Sequence, residues 1–399
     1  MKRIAHHIKN RKRIYIEILI AIVIVAAISI VYLYQENNIE IYLAEKYPSQ
    51  ALTLGQVVST EQNNDIQSDR PIYNVSVLLL AGSDKGQTIT VSDRLVSSST
   101  TNSYLKLVPG EKVLLGKDTL ESFPGAPYYI TDRFRLPMLL FVILVFVAVA
   151  VLFGRIRGLT SILGLGISIG VLGWYVIPQI LAGADPLTTC VIGAAVIAVA
   201  SLYLAHGFNK RTTIAVCGTM ITLVISSLLA IFFVSGARLI GLATDESFYL
   251  EVGKNIALNL RGILLGGIII GALGVLDDVT IGQSAAVHEL KEANQSLDVK
   301  ELYRRGMSIG REHIASLINT LFLAYAGVAL PVILYLVAFQ SQVPLWLTIN
   351  GEPIAEEIVR TAVGSIGIIL AVPITTLLAA YYYGKVQHGR ATEERDEII

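Results

Sequence analysis

The sequence predicts an all-α polytopic membrane bundle of about eight transmembrane helices. A small extracytoplasmic β-barrel-like domain, of OB or SH3-like type, is inserted after the first helix. Three observations lead there. Of 399 residues, 53% are hydrophobic and only 16% charged, with a mean hydropathy of +0.62, far above a soluble globular composition. Apolar runs long enough to cross a bilayer, which takes about 20 residues, recur near 14–34, 136–153, 159–181, 187–205, 212–235, 255–276, 313–339 and 358–383. Between the first two runs stands the one sizeable polar region, 35–135, and its pattern is β-like.

The first element, 1–34, is a basic N-terminus followed by an anchor. Lys2, Arg3, Lys9, Arg11, Lys12 and Arg13 precede the span, which ends in VYLYQ without a small-residue cleavage site; an uncleaved anchor is therefore preferred to a signal peptide. With the N-terminus in the cytoplasm, Arg155, Arg157, Lys210, Arg211, Lys291, Lys300, Arg304, Arg305 and Arg311 all fall on the cytoplasmic side. Lys385, Arg390 and Arg395 put the C-terminal tail, 385–399, there too. The opposite loops LAGADP and QSQVPLWLTINGEPIAEE carry no Lys or Arg, as the positive-inside rule requires. Arg238, Lys254, Arg261 and Arg360 are exceptions near outer helix ends, where Trp346 and Tyr249 suit the interface. The expected setting is a plasma membrane, multi-pass, with both termini cytoplasmic and 35–135 outside.

The outer domain opens on a short helix (IEIYLAEKY). It continues with strands in PIYNVSVLLLAG, KGQTITVSD, NSYLKLV and EKVLLGKD, separated by Gly, Pro, Asn and Ser turns. GSDKGQ and LVPGEKVLL read as hairpin turns, and GAPYYITDRFRLP leads back to the membrane. About five strands in such a length fit a small closed barrel, which leaves no sheet edges. No aromatic platform for nucleic acid interrupts these strands, so a structural or partner-binding role is preferred.

Residues 136–384 form the membrane core. Gly158, Gly164, Gly166, Gly170 and Gly173 in the third span, and Gly262, Gly266, Gly267, Gly271 and Gly274 in the sixth, suit close helix approach; room for a substrate or a hinge is the alternative. Pro331 and Pro373 fall mid-span and are hinge candidates, with Pro178 near a span end. Cys190 and Cys217 read as buried packing thiols. The stretch 279–310 is expected to form a cytoplasmic hairpin of two short amphipathic helices, SAAVHELKEA and SLDVKELYRR, the second capped by Asp298 with Glu301 three residues on. His288 and Glu289 in this hairpin read as surface groups.

The chemistry concentrates where GILLGGIIIGALGVLDD ends in Asp277 and Asp278. Ionisable residues at membrane depth are costly and mark functional sites by default. About thirty residues on, GREHIASLINT opens the next span with Arg311, Glu312 and His313, and Asn319 and Thr320 lie two turns deeper. Read as a helix end, Asp277 and Asp278 oppose the macrodipole and call for compensation by Arg311, His313 or a bound cation. A histidine can share a proton or ligate metal, so Asp277, Asp278 and His313 are the candidate metal ligands. The plainer alternative is two carboxylates ending a helix among headgroups, with Arg311 as salt-bridge partner. Arg261, about four turns outward on the same helix, either snorkels to the outer interface or meets an anionic group, with Glu251 and Asp245 as possible partners.

Several function classes drop out. Intramembrane aspartyl proteolysis needs carboxylates on two facing helices, and there is no HExxH, GxSxG or nucleotide-binding motif. Neither an enzyme nor a cofactor is expected, and nothing suggests nucleic-acid binding. The stretches NLRGILLGGIIIGALGVLDDVTIGQSAAVHEL and GREHIASLINTLFLAYAGVALP resemble the signature of YibE/F-like bacterial membrane proteins. The resemblance implies a permease-like seven-helix core over about 135–385, the outer domain marking a longer, YibE-like member. It also implies a shorter membrane partner of the same family, or a homo-oligomer. It carries over no substrate and no catalytic residue. The combined expectation is a transporter component in the lipid bilayer that moves a small solute or ion past a cytoplasmic-side gate. Asp277, Asp278, His313, Asn319, Thr320, Arg261 and Arg311 would line its pathway. The alternative is a non-transporting scaffold or sensor whose outer domain binds envelope partners.

Overall fold

The computed structural model describes residues 52–63, 72–81, 84–92, 107–117, 128–242, 258–339 and 344–396. The anchor at 14–34, the helix expected at IEIYLAEKY, and Asp245, Tyr249, Glu251 and Lys254 lie outside the described residues. The chain divides into two compact units, Met1–Arg155 and Ile156–Ile399.

In the first unit, β1 (Leu52–Asn63), β2 (Ile72–Leu79), β3 (Thr88–Ser92), β4 (Lys112–Lys117) and β5 (Tyr128–Arg133) form one antiparallel sheet in the order β3-β2-β1-β4-β5. Alternation explains it: Val75, Val77 and Leu79 on β2, Val113 and Leu115 on β4, and Tyr128 and Ile130 on β5 bury into one cluster with Val57, Val91 and Leu107. The GSDKGQ turn joins β2 to β3 as expected, with Gly86 at φ +88 and its N–H donating to the Leu79 carbonyl. The turn at Pro109–Gly110 is described from Leu107 on, the rest of the expected NSYLKLV strand before it lying outside the described residues. Its backbone bonds Val57, and β4 pairs with β1 and β5 among the described residues. Two strands were missed. β1 has weak alternation because a bulge between Val57 and Ser59 shifts its register, and β5 lies inside the segment expected to be a mere connection. The edge strands β3 and β5 also approach one another in space.

Next comes α1 (Leu136–Val171), broken at Arg155, where φ is 53 and ψ −134. The two spans expected here lie on either side of that residue, with a single left-handed backbone position in place of a loop. A π-helical turn, Leu172–Val176, leads into α2 (Ile177–Leu181), with Pro178 in its first turn, where a missing N–H is tolerated.

The second unit continues with α3 (Pro186–His206), α4 (Lys210–Gly236), α5 (Leu260–Ala293), α6 (Val299–Val328), α7 (Leu330–Phe339), α8 (Leu345–Asn350) and α9 (Glu352–Asp396). Asp185, Asn209, Asn259 and Asp298 cap α3, α4, α5 and α6 through side-chain oxygens that accept backbone N–H groups. Five helical stretches among the described residues are long and apolar enough to cross a membrane: Leu136–Leu181, Pro186–His206, Lys210–Gly236, Leu260–Ala293 and Glu352–Lys385. The chain is a membrane protein by this measure, and the count of eight is not reproduced. The run expected at 313–339 is divided at Ala329, just before Pro331, into α6 and α7, because a proline is accommodated at the start of a helix rather than within it. Pro373 does sit inside α9.

α5 is the hub, packed against α3, α4, α6 and α9, and α9 also packs on α4 and α6. Close approach is real at Gly266, where any Cβ would collide with Cys190. A Cβ at Gly267 or Gly274, by contrast, would meet nothing within 4 Å, nor would one at Gly166 in α1 or at Gly173 in the π-helical turn. Close packing therefore accounts for only part of the glycine pattern. Cys190 is buried as expected, but Cys217 is exposed.

The hairpin at 279–310 takes a different form from the one expected. Its two helices are extensions of α5 and α6, and the connection is confined to 294–298. Lys291, 5% exposed, secures that turn by donating to the Gln295 and Leu297 carbonyls, each at 2.8 Å. Glu301 does not close a capping box; it binds Arg304 and Arg305, and these guanidinium partners hold its carboxyl at about 2. His288 is half-buried against Tyr383, ring centroids 4.9 Å apart, rather than on the surface.

Candidate functional site

Asp277 and Asp278 do not end a helix. α5 runs on to Ala293, so the expected conflict with the macrodipole does not arise. Asp277 lies about 26 Å along α5 from Leu260 at about 1.5 Å per residue, close to the thickness of a hydrocarbon core of about 30 Å.

Within the second unit, α1, α3 and α5 border an open-sided cavity of about 470 Å³. Its polar lining is Ser161 and Ser168 from α1, Ser201 and His206 from α3, and Asp277 and Asp278 from α5. Apolar residues including Leu165, Leu172, Ile197, Ile270 and Leu273 complete the wall. Helical spacing explains the convergence. Ser161 and Ser168 are seven apart, Ile197, Ser201 and Ala205 four apart, and Ile270, Gly274, Asp277 and Asp278 share one side of α5. α1 approaches α3 here: a Cβ at Gly164 would sit at ordinary contact distance, 3.6 Å, from the Ser201 Cα.

Asp277 is the best-defined group. Ser201 Oγ donates to its Oδ2 at 2.8 Å, while Oδ1 is buried without a hydrogen-bond partner among the described residues. No Lys or Arg forms a salt bridge with either aspartate among the described residues. Asp278 is exposed at the cavity margin, and its charge reaches His206, as do those of Arg157 and Arg211.

The other expected site residues lie elsewhere. His313 is exposed on α6 beside Gly282, not on the cavity wall. Asn319 and Thr320 are exposed on α6, and the Thr320 hydroxyl donates to the Ser316 carbonyl of its own helix. Arg311 is exposed and joins no salt bridge among the described residues, so it is not the partner of the aspartates. Asp277, Asp278 and His313 form no metal-binding group, nor does any set of three His, Cys, Asp or Glu among the described residues. Arg261 donates to Ser235 Oγ and lines a separate cavity of about 510 Å³ with Arg238 and Asn259.

Ser161, Ser168, Ser201 and His206 are the site residues that sequence reasoning missed. The available signal was polar side chains at four- and seven-residue spacing inside apolar spans, masked by the frequency of serine in packed membrane helices.

A second polar feature lies deeper along the α5 interfaces. Gln283, 2% exposed, donates to the Gly306 carbonyl at 2.8 Å and to Thr376 Oγ1 at 2.7 Å. Thr219 and Thr280 share a hydrogen bond of 2.9 Å, and Ser284 donates to the Arg211 carbonyl. These bonds tie α5 to α4, α6 and α9 within one turn or two of the cavity.

No curated protein and no solved structure matches the chain. The model of one protein family does, over residues 142–385, which takes in most of α1, the cavity and the core helices as far as residue 385 of α9. The chain belongs to the YibE/F-like protein family.

Proposed function

We propose that the protein is a transporter component that moves a small solute or ion across the bacterial plasma membrane, with the α1–α3–α5 cavity as part of its path. The observation that supports this reading is Asp277 itself, on a membrane-length helix: it lines the serine-bearing cavity, and its Oδ1 is buried without a hydrogen-bond partner among the described residues. Carrying a carboxylate at such a depth costs several kcal/mol, about 2.5–3.5 by insertion scales, and packing alone gives no return for it. The gate is narrower than the sequence suggested: Asp277 and Asp278 with the three serines, and without His313.

The proposed topology keeps eight spans. Leu136–Leu181, 46 residues long, is about 70 Å at about 1.5 Å per residue, enough for two crossings separated at Arg155. α6 and α7 together would supply another. Both termini would be cytoplasmic, and the sheet domain would lie outside. The approach of β3 to β5 supports a small, partly open barrel there. A shorter family member or a second copy is the proposed partner, and no catalysis is assigned.

The test is release from proteoliposomes loaded with a mixed pool of small solutes and ions, followed by mass spectrometry and ion-selective electrodes. Wild type should release at least one species that empty vesicles retain, and Asp277→Asn/Asp278→Asn should retain it. Identical traces for wild type and protein-free vesicles would refute the transport reading.

A further inference from the structure

We infer that the α1–α3–α5 cavity is a binding site for one monovalent cation, a proton or an alkali-metal ion, held on Oδ1 of Asp277 with Ser201 fixing the other carboxylate oxygen. This deepens the pathway reading by naming the ligand class of the same cavity.

Three observations converge. Ser201 Oγ, from a different helix, binds Oδ2 at 2.8 Å and so orients the carboxylate. That leaves Oδ1 buried and unpartnered. An ionised carboxylate with one hydrogen bond away from water is far from balanced, and its neutralisation has to come from a cation. The chain offers none at that oxygen among the described residues. α4 and α1 contribute Arg211 and Arg157, whose charges bear on His206 rather than pairing with Asp277. α3 contributes His206 to the cavity wall, where it meets the charge of Asp278 rather than that of Asp277. On α5 itself the neighbouring titratable group is Asp278, a second negative charge. α6 presents Arg311, Glu312 and His313, all exposed and off the cavity wall. α9 places Thr375 and Thr376, not a cation, at its buried face. Finally, the polar lining apart from His206 is oxygen, from hydroxyls and carboxylates. Such a set suits a proton or a hard cation, not a soft transition metal.

The experiment is infrared difference spectroscopy of the full-length protein in detergent, titrated with acid and, separately, with NaCl against choline chloride. A carboxyl C=O band that appears on acidification, is absent in Asp277→Asn and persists in Asp278→Asn supports the site with a proton as ligand. A sodium-dependent shift of the carboxylate stretch, also lost in Asp277→Asn, supports it with an alkali ion. Ser201→Ala keeps the carboxylate and separates the two. Losing the hydroxyl donor removes support for the charged form and should tighten proton binding about tenfold, one pH unit, whereas an alkali ion loses the hydroxyl that orients its carboxylate and binds more weakly. Spectra of wild type and Asp277→Asn that coincide under both titrations would overturn the inference, as would a Ser201→Ala protein indistinguishable from wild type. Because the readout is binding, it is independent of flux. A band without solute release sinks the transport reading alone, and release without a band or shift sinks the cation site alone.

Discussion

Replacing Gln283 by leucine tests whether the helix bundle is held by side-chain hydrogen bonds as well as by shape. Both Nε2 donors are used, on the Gly306 carbonyl at 2.8 Å and Thr376 Oγ1 at 2.7 Å, and the residue is 2% exposed. Leucine has nearly the same volume, so the cavity contribution is small and the change isolates the two bonds. Interhelical hydrogen bonds in membrane bundles average about 0.6 kcal/mol and reach about 1.7. Two of them give about 1–3 kcal/mol, and the scale for soluble proteins gives about the same. The assay is reversible unfolding in mixed micelles of wild type, Gln283→Leu, Thr376→Val and the double variant. Thr376 also donates to the Val372 carbonyl at 2.6 Å, and the cycle cancels that contribution. The expected coupling between positions 283 and 376 is about 0.6–1.7 kcal/mol. A Gln283→Leu protein at least as stable as wild type, or strictly additive single variants, would refute the reasoning.

Other outcomes follow from the same geometry. Gly310→Ala should destabilise the bundle by about 1–3 kcal/mol, because the new methyl would overlap Val372 and crowd the Gln283 amide; thermal melting in detergent checks it. Lys291→Met leaves the Gln295 and Leu297 carbonyls without their donor and should cost about 1–3 kcal/mol, with hydrogen exchange rising first at 294–298. In the sheet unit, the Asp84 carboxylate accepts from Lys117 at 3.2 Å and from Tyr128. That hydrogen bond raises the Lys117 ammonium above its ordinary value, and burial followed by the same carboxylate raises the Tyr128 phenol. Both folded values stand above the unfolded ones, so their stabilisation is complete below about pH 10 and is lost as pH rises through the folded values. Asp84→Asn should lower the melting temperature modestly at neutral pH, the pair being partly exposed, and the gap from wild type should close on the alkaline side. A gap that widens with alkalinity would contradict the assignment.

Much of the architecture was legible because its causes are local. Apolar runs, the cap at Asp298 and the GSDKGQ turn each act within a few residues, and the structure has them where the sequence puts them; the caps at Asp185, Asn209 and Asn259 are as local but were not read. Asp277 stood out for the same reason, since a carboxylate in an apolar run is visible without knowing its neighbours. Helix continuity was less legible. Neither the extension of α5 through Asp278 to Ala293 nor the division at Ala329 follows from hydropathy, because helical hydrogen bonds continue wherever the backbone permits and neighbouring helices provide packing.

What the sequence determined by itself was the class: a membrane protein of spanning helices with a β-rich insert and one conspicuous acidic pair. What only the tertiary structure decided was the company Asp277 keeps. Ser201 is 76 positions away, and Ser161 and Ser168 lie on yet another helix, whereas His313, opposite in the sequence logic, faces elsewhere. Rotation of each helix about its axis sets which side chains meet. In a bundle this apolar nearly every face is compatible with lipid, so the hydrophobic pattern cannot fix that rotation. Close contacts such as Gly266 on Cys190, and the bonds of Gln283, do.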